Sequence, residues 1–312
     1  MLHIVVAILR NKSKQILIAQ RASKQHQGDK WEFSGGKVET GETPQQALAR
    51  ELDEELGIQI EAALPLIQVH HHYPDLAVFL DVFEVSAWQG EAYGKEGQPI
   101  RWVTINELSR YPFPAANKPI LQALALPDTC LITPHIENEN EFKQGILHCL
   151  NNGIKLIQFR AKKLTPYDYI KRATWLSQQC KHYQCRLVLN SPPENFISLS
   201  AQGLHLTSYQ LLAQKQRPNV QLLSAACHNE AELKKAQQLN IDFVFLSPIQ
   251  ATTSHPEAKA KGWKWFNQAV KQINLPVYAL GGLGQSDIAT ARHHGAQGIA
   301  AISRLWKTDG NK

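Results

Sequence analysis

Glu51, Glu54 and Glu55 stand at i, i+3 and i+4 in "RELDEELGI", and Glu42 precedes them in "TGETP". On a helix, that spacing puts the three carboxylates on one face. Glu51 and Glu55 are then like charges one turn apart, a mild penalty of about 0.2–0.5 kcal/mol. They also crowd the helix's C-terminal half, where its dipole disfavours negative charge. Arg50 is the nearby counter-charge. Two readings follow: a solvated acidic face, or hard oxygen donors around Mg²⁺ or Mn²⁺. A cation would resolve the repulsion, and could neutralise and orient a polyanionic phosphate chain.

The helix that positions them can be read from its ends. Thr43 can cap, Pro44 suits the first helical position, and Gln46 completes a capping box. Gly57 ends the helix, and Leu48, Leu52 and Leu56 form a core-facing stripe. Around it lie the strand-like runs "HIVVAILR" and "QILIAQR", joined by a hairpin-like "NKSK", then "LAVFLDVFEVSAW" and "IRWVTI". A short helix near "PILQALAL" follows, and Pro127-Asp128 marks a boundary. Strands bracketing one prominent helix predict a compact α+β domain over 1–127. His70-His71-His72 could suggest a metal cluster, but adjacent strand residues face opposite ways, so a loop or strand-end trio is expected.

From Gly36 the segment fits the Nudix box: Gly, five residues, Glu, seven residues, Arg-Glu-aliphatic-any-Glu-Glu-any-Gly-aliphatic. The fixed positions are Gly36, Glu42, Arg50, Glu51, Leu52, Glu54, Glu55, Gly57 and Ile58. "AQRASKQHQGDKWEFSGGKVETGE", "EAYGKEGQP" and "FPAANKPI" further resemble the MutT branch, the 8-oxo-dGTP diphosphatases. The resemblance implies a Nudix fold and Mg²⁺-dependent hydrolysis of 8-oxo-dGTP to 8-oxo-dGMP and pyrophosphate. It implies metal binding by Glu51, Glu54, Glu55, Glu96 and the Gly35 carbonyl. Arg50 would hold the box carboxylates, and the general base would be Glu51 or Glu96. Arg21, His26, Glu32, Phe33, Ser34, Gly35 and Lys37 would line the nucleotide pocket, with Asn117 reading the base through its amide donor and acceptor. Ser34 stands where the family usually has Pro.

The second half has a simpler rhythm. The runs "CLITP", "KLIQFR", "RLVLN", "GLHL", "QLLSAA", "FVFLSP", "PVYALGG" and "GIAAIS" alternate with helix-length amphipathic segments. Unalternating apolar runs read as parallel strands buried on both faces, and eight β/α units predict a (β/α)8 TIM barrel over 128–312. This half resembles thiamine phosphate synthases and their thiazole-tautomerase-like relatives. The resemblance implies a phosphate site at Gly281, Gly282, Ile302 and Ser303, with Arg160 and Lys162 as a basic pair and Asn190 beside it. Synthases follow that Asn with a Mg²⁺-binding Asp, where this chain has Ser191. Gln210 replaces a second acid, and His255 replaces a Lys. A phosphate pocket without synthase activity is the expectation, as a tautomerase-like enzyme or a non-catalytic sensor. The alternative is a bifunctional enzyme of thiamine metabolism, cleaving a pyrophosphorylated precursor.

Composition narrows the classes. With 312 residues and a net charge of +6, no run of basic residues marks a nucleic-acid polymer site, and a small-molecule substrate is expected. No apolar stretch reaches the roughly 18 residues of a membrane span. The N-terminal "MLHIVVAILRNK" reads as a strand, not a signal peptide. Five cysteines without a C-x-x-C pair suit free thiols in a reducing cytoplasm. Oligomeric state is not legible.

Overall fold

The computed structural model describes residues 1–24, 26–190, 203–251, 257 and 259–306. The chain divides into two compact units, Met1–Ala125 and Leu126–Lys312. Among the described residues no helix is long and apolar enough to cross a membrane, and the five cysteines are buried free thiols.

In the first unit, β1 (Leu2–Leu9), β5 (Ala77–Gln89) and β4 (Gln59–His72) form one sheet, ordered β1-β5-β4. The strands β3 (Trp31–Glu32), β2 (Ile16–Gln20) and β6 (Ile100–Val103) form a second, antiparallel one. β1 is apolar on both faces and separates two cores. Val5, Ala7 and Leu9 face Leu48, Leu52 and Leu56 of α1 (Pro44–Leu56). Val6 and Ile8 face the core containing Ile120 and Leu124 of α2 (Lys118–Leu124). Burying the three α1 leucines contributes about 1.5–3 kcal/mol each.

Two expectations change here. The "NKSK" turn forms, with Asn11 N donating to Gln15 O at 3.0 Å, but its strands part after one bridge, Arg10 with Ile16. β1 pairs instead with β5, in parallel. The long β4 was not anticipated, because Pro65 and register shifts around residues 60–67 break its alternation. His70–His72 end that strand, where His70 stacks on Phe79 and His71 meets Tyr73 edge-on.

The second unit is a closed barrel of eight parallel strands, in order β10-β11-β12-β13-β14-β7-β8-β9. They are β7 (Thr129–Ile132), β8 (Leu156–Phe159), β9 (Arg186–Leu189), β10 (Gly203–Leu206), β11 (Leu222–Cys227), β12 (Phe243–Leu246), β13 (Val277–Leu280) and β14 (Gly298–Ala301). Alternate side chains go to separate cores. Cys130, Leu156, Val188, Phe243, Phe245, Tyr278 and Ala300 fill the barrel. Leu131, Ile157, Leu187, Val244 and Ile299 face outward to helices that include α3 (Glu139–Asn151) and α4 (Pro166–His182). All eight runs read from the sequence are strands.

Candidate functional site

The acidic helix forms as its ends predict. Thr43 and Gln46 make a reciprocal capping box, Pro44 opens the first turn, and Gly57 closes the helix with φ 66°. Arg50 then gathers the glutamates. Its Nε and Nη2 donate to Glu42 at 2.8 and 3.0 Å, and its Nη1 to Glu51 at 2.9 Å and Glu54 at 3.1 Å. Nη2 also donates to the Lys37 carbonyl at 3.0 Å, while the Lys37 side chain is exposed. These bonds, and an amide bond from Glu39, hold the Glu42 carboxyl down at about 2. Gly36 leaves room where the loop passes Glu51: a Cβ there would lie 2.1 Å from the carboxylate, which would have to shift off Arg50.

Glu55 sits differently. Its Oε2 accepts the Gly35 amide at 3.2 Å. Burial pushes its carboxyl up to about 8; the Gly35 bond opposes that, and the charges of Glu32, Glu51 and Glu96 reinforce it. The Glu96 loop is pinned to the helix end, where orphan carbonyls need donors. Lys95 N and Gln98 Nε2 donate to Glu55 O at 3.0 and 2.9 Å, and Lys95 Nζ donates to Asp53 O at 2.9 Å.

The proposed ligand set of Gly35, Glu51, Glu54, Glu55 and Glu96 is not drawn to one point. Among the described residues, no three His, Cys, Asp or Glu groups stand close enough to hold a metal. The physical reason is Arg50, which occupies Glu51 and Glu54 on its own fork. The donors nevertheless fit Mg²⁺ in kind. They are hard oxygens, and the charges of Glu32, Glu51 and Glu96, which add to burial in raising Glu55, are what a divalent cation relieves.

Several predicted pocket residues meet. Arg21 pairs with the Glu32 carboxylate, and its Nε donates to the His26 carbonyl at 3.0 Å. The His26 ring meets Tyr73 edge-on at 5.0 Å. The Tyr73 hydroxyl accepts the Ala116 amide at 3.3 Å, one residue before Asn117. Phe33 stacks on Phe113 at 5.1 Å. Ser34 and Asn117 are buried, and among the described residues Ser34 Oγ and Asn117 Oδ1 have no hydrogen-bond partner. The carbonyls of Ser34 and Gly36 accept from Ala7 N at 2.8 Å and Val5 N at 2.9 Å. Sequence reasoning missed Tyr73, Lys95 and Gln98, which act through backbone contacts that leave no spacing signal.

In the barrel, a cavity of about 1010 Å³ opens at the C-terminal ends of the strands. Arg160, Lys162, Asn190, Gly281, Gly282, Ile302 and Ser303 all line it. Gln210 does not: its Oε1 accepts from Thr207 N and Oγ1 at 2.9 and 3.0 Å, capping α5 (Ser208–Ala213). Ser191 and His255 lie outside the described residues. The cavity also contains Gln158, His205, His228 and Ser247, which were not anticipated. Three polar residues interrupt apolar runs at inward positions: Gln158 in "KLIQFR", His205 in "GLHL" and Ser224 in "QLLSAA". That interruption was the available signal. His205 Nδ1 lies 2.9 Å from Ser224 Oγ, and His228 Nδ1 lies 3.1 Å from Ser247 Oγ.

Comparison with known proteins matches each unit separately. The family described as "NUDIX domain" matches residues 5–123, and "Thiamine monophosphate synthase" matches residues 129–305. An 8-oxo-dGTP diphosphatase of Escherichia coli K12 is 42% identical over 123 residues, 39% of this chain and 95% of that protein. A putative thiamine-phosphate synthase 2 of Aquifex aeolicus is 31% identical over 183 residues, 58% of this chain and 98% of that protein. The solved thiamine phosphate pyrophosphorylase of Pyrococcus furiosus is 19% identical with a TM-score of 0.50, covering 58% of this chain and 88% of its own. At that identity the likeness speaks for the fold alone. With the box positions filled on a Nudix fold and the barrel closed by eight parallel strands, the chain belongs to the Nudix family through its first unit and to the thiamine monophosphate synthase family through its second.

Proposed function

We propose that residues 1–127 hydrolyse 8-oxo-dGTP to 8-oxo-dGMP and pyrophosphate with Mg²⁺, Mn²⁺ able to substitute, in the cytoplasm. This removes an oxidised nucleotide before DNA replication can use it. The observation that carries the reading is the Arg50 fork, which ties Glu42 of the preceding loop to Glu51 and Glu54 of the helix, while half-buried Glu55 accepts the Gly35 amide. A relative 42% identical over this unit bears the name 8-oxo-dGTP diphosphatase.

Glu51, Glu54, Glu55, Glu96 and the Gly35 carbonyl would hold the ion. When bound, it supplies charge neutralisation and in-line orientation of the triphosphate. Arg50 keeps Glu51 and Glu54 in register, and the attacking water gives its proton to Glu51 or Glu96. Arg21, His26, Glu32, Phe33, Ser34, Gly35 and Lys37 line the nucleotide pocket. The Asn117 amide, buried with its Oδ1 unpartnered, offers an acceptor to the N–H of an oxidised purine edge.

The barrel holds a small phosphorylated ligand without catalysing thiamine phosphate synthesis, since Gln210 stands in a helix cap where the synthase carries an acid. Steady-state kinetics with Mg²⁺ on 8-oxo-dGTP, dGTP and hydroxymethylpyrimidine diphosphate tests both parts. The first should be strongly preferred; equal efficiency on dGTP sinks the assignment, and preference for the third favours the thiamine alternative. Rescue of a synthase-deficient strain would overturn the reading of the barrel.

A further inference from the structure

The discrimination proposed for the first unit falls on Asn117. Its side chain is 7% exposed, and among the described residues its Oδ1 has no partner. The amide therefore takes its position from the main chain that carries it. That main chain is the segment from Tyr111 to Asn117, which ends in a short 3-10 turn, Ala115–Asn117.

The first part of the segment is held by β3. Trp31 N donates to the Pro112 carbonyl at 2.9 Å, the Trp31 ring meets Tyr111 edge-on at 5.2 Å, and Phe33 stacks on Phe113 at 5.1 Å. Pro112 and Pro114 restrict the backbone between these contacts. Past Pro114 the support changes. Asn117 N donates to Pro114 O at 3.0 Å and closes the turn. A turn leaves its leading amides without internal acceptors, and the acceptor for the Ala116 amide comes from outside, the Tyr73 hydroxyl at 3.3 Å.

Tyr73 is braced in its turn. Its N donates to Leu76 O at 2.8 Å, in the connection between β4 and β5. Its ring packs on the core that contains Ala116 and Ile120. His26 and His71 meet the ring edge-on at 5.0 and 4.4 Å, and His26 Nε2 lies 3.5 Å from Asp75 Oδ1. One hydroxyl thus joins the end of β4, and the loop that carries His26, to the peptide next to Asn117.

That link bears on selection more than on chemistry. An oxidised purine edge offers an N–H to Asn117 Oδ1, whereas the ordinary purine offers a lone pair that the same oxygen repels. Both effects weaken once the separation leaves about 2.7–3.2 Å. Drift of the Ala116 peptide would reduce the attraction for one substrate and the repulsion for the other. The glutamates of α1 are held by Arg50 and Gly35 instead.

We propose that Tyr73 is a positioning residue for substrate selection: its hydroxyl fixes the Ala116 peptide and, through it, the Asn117 amide. The inference rests on the reading of residues 1–127 as an 8-oxo-dGTP diphosphatase.

Tyr73→Phe isolates the hydroxyl, because a phenyl ring keeps the contacts to His26 and His71. Steady-state kinetics on the full chain, with Mg²⁺ and either 8-oxo-dGTP or dGTP, compares wild type, Tyr73→Phe, Asn117→Ala and the double variant. Tyr73→Phe should lower the ratio of the two kcat/KM values about 3- to 10-fold, through KM, with kcat for 8-oxo-dGTP held within about 2-fold. In the Asn117→Ala background the same exchange should move the ratio less than about 2-fold, since no amide is left to place. Hydrogen exchange of the Ala116 amide, read by NMR, should be faster in Tyr73→Phe. A fall in kcat in place of a rise in KM, an equal loss of selectivity in both backgrounds, or unchanged exchange at Ala116 would overturn the proposal. A wild type without preference for 8-oxo-dGTP would overturn the reading of the unit and the inference with it. A wild-type preference that Tyr73→Phe leaves intact overturns the inference alone.

Discussion

In the functions proposed for them, the acidic helix of the first unit and the barrel cavity of the second face the same problem, the negative charge of a phosphate group, with opposite inventories. The helix and the loop before it keep three glutamates on a single guanidinium, with Glu55 held apart by the Gly35 amide. The cavity keeps cations and bare backbone, with one carboxylate among its described lining residues. Both units retain their scaffolds, down to capping boxes and eight closed strands. A scaffold therefore persists through a change in its charged groups, and function follows the charged groups.

The sharpest way to break this contrast is Glu55→Gln. Nucleotide turnover should fall about 10²- to 10³-fold in steady-state assays, while binding of inorganic phosphate in the barrel stays unchanged. A loss in both units would mean they do not act separately. Arg50→Lys comes next: one ammonium cannot replace a fork that bonds three carboxylates. It should lower kcat/KM about 10- to 100-fold, and retained activity would show that the fork does not position the glutamates.

Acid should move the two units in opposite directions. The folded pKa of His205 is depressed by burial to about 3, so its contribution is present above its unfolded value and is lost as pH falls. Urea unfolding of the barrel should show a loss of about 2 kcal/mol between pH 6.5 and 5, absent in His205→Phe. The folded pKa of Glu55 is raised to about 8, so in metal-free protein its contribution is present at low pH and is lost as pH rises through 8. Parallel responses in the two units would contradict these assignments.

Smaller effects sharpen the comparison. Gln210→Ala should cost about 1 kcal/mol through the lost cap, without altering phosphate affinity in the barrel. An affinity change would place Gln210 at the ligand after all. Ser34→Ala should stabilise the first unit by about 0.5–1 kcal/mol, because it deletes a buried hydroxyl with no partner. A fall in Tm would show that the hydroxyl is satisfied.

The acidic helix was legible because its caps, leucine stripe and glutamates are all local in sequence. The barrel was legible because eight short apolar runs recur. β4 was not, since Pro65 and its register shifts disguise a strand whose pairing is set by β5. The partner of β1 was misjudged for a related reason: a strand apolar on both faces carries no signal of which neighbour it takes. The His205–Ser224 contact joins adjacent strands nineteen residues apart, so only the polar interruptions hinted at it.

The main chain of residues 34–36 has a consequence for evolvability. Ser34 and Gly36 turn their carbonyls to β1, and the residue between them turns its amide to Glu55. Which peptide group faces the acidic helix is thus decided by counting along an extended edge, not by side-chain identity. Such a device leaves the side chain at position 34 free to change. A single inserted residue would shift the count by one and turn the wrong peptide toward Glu55. Position 34 can drift in sequence, Gly35 cannot, since a Cβ there would meet Val5 O at 2.0 Å, and the segment cannot change in length.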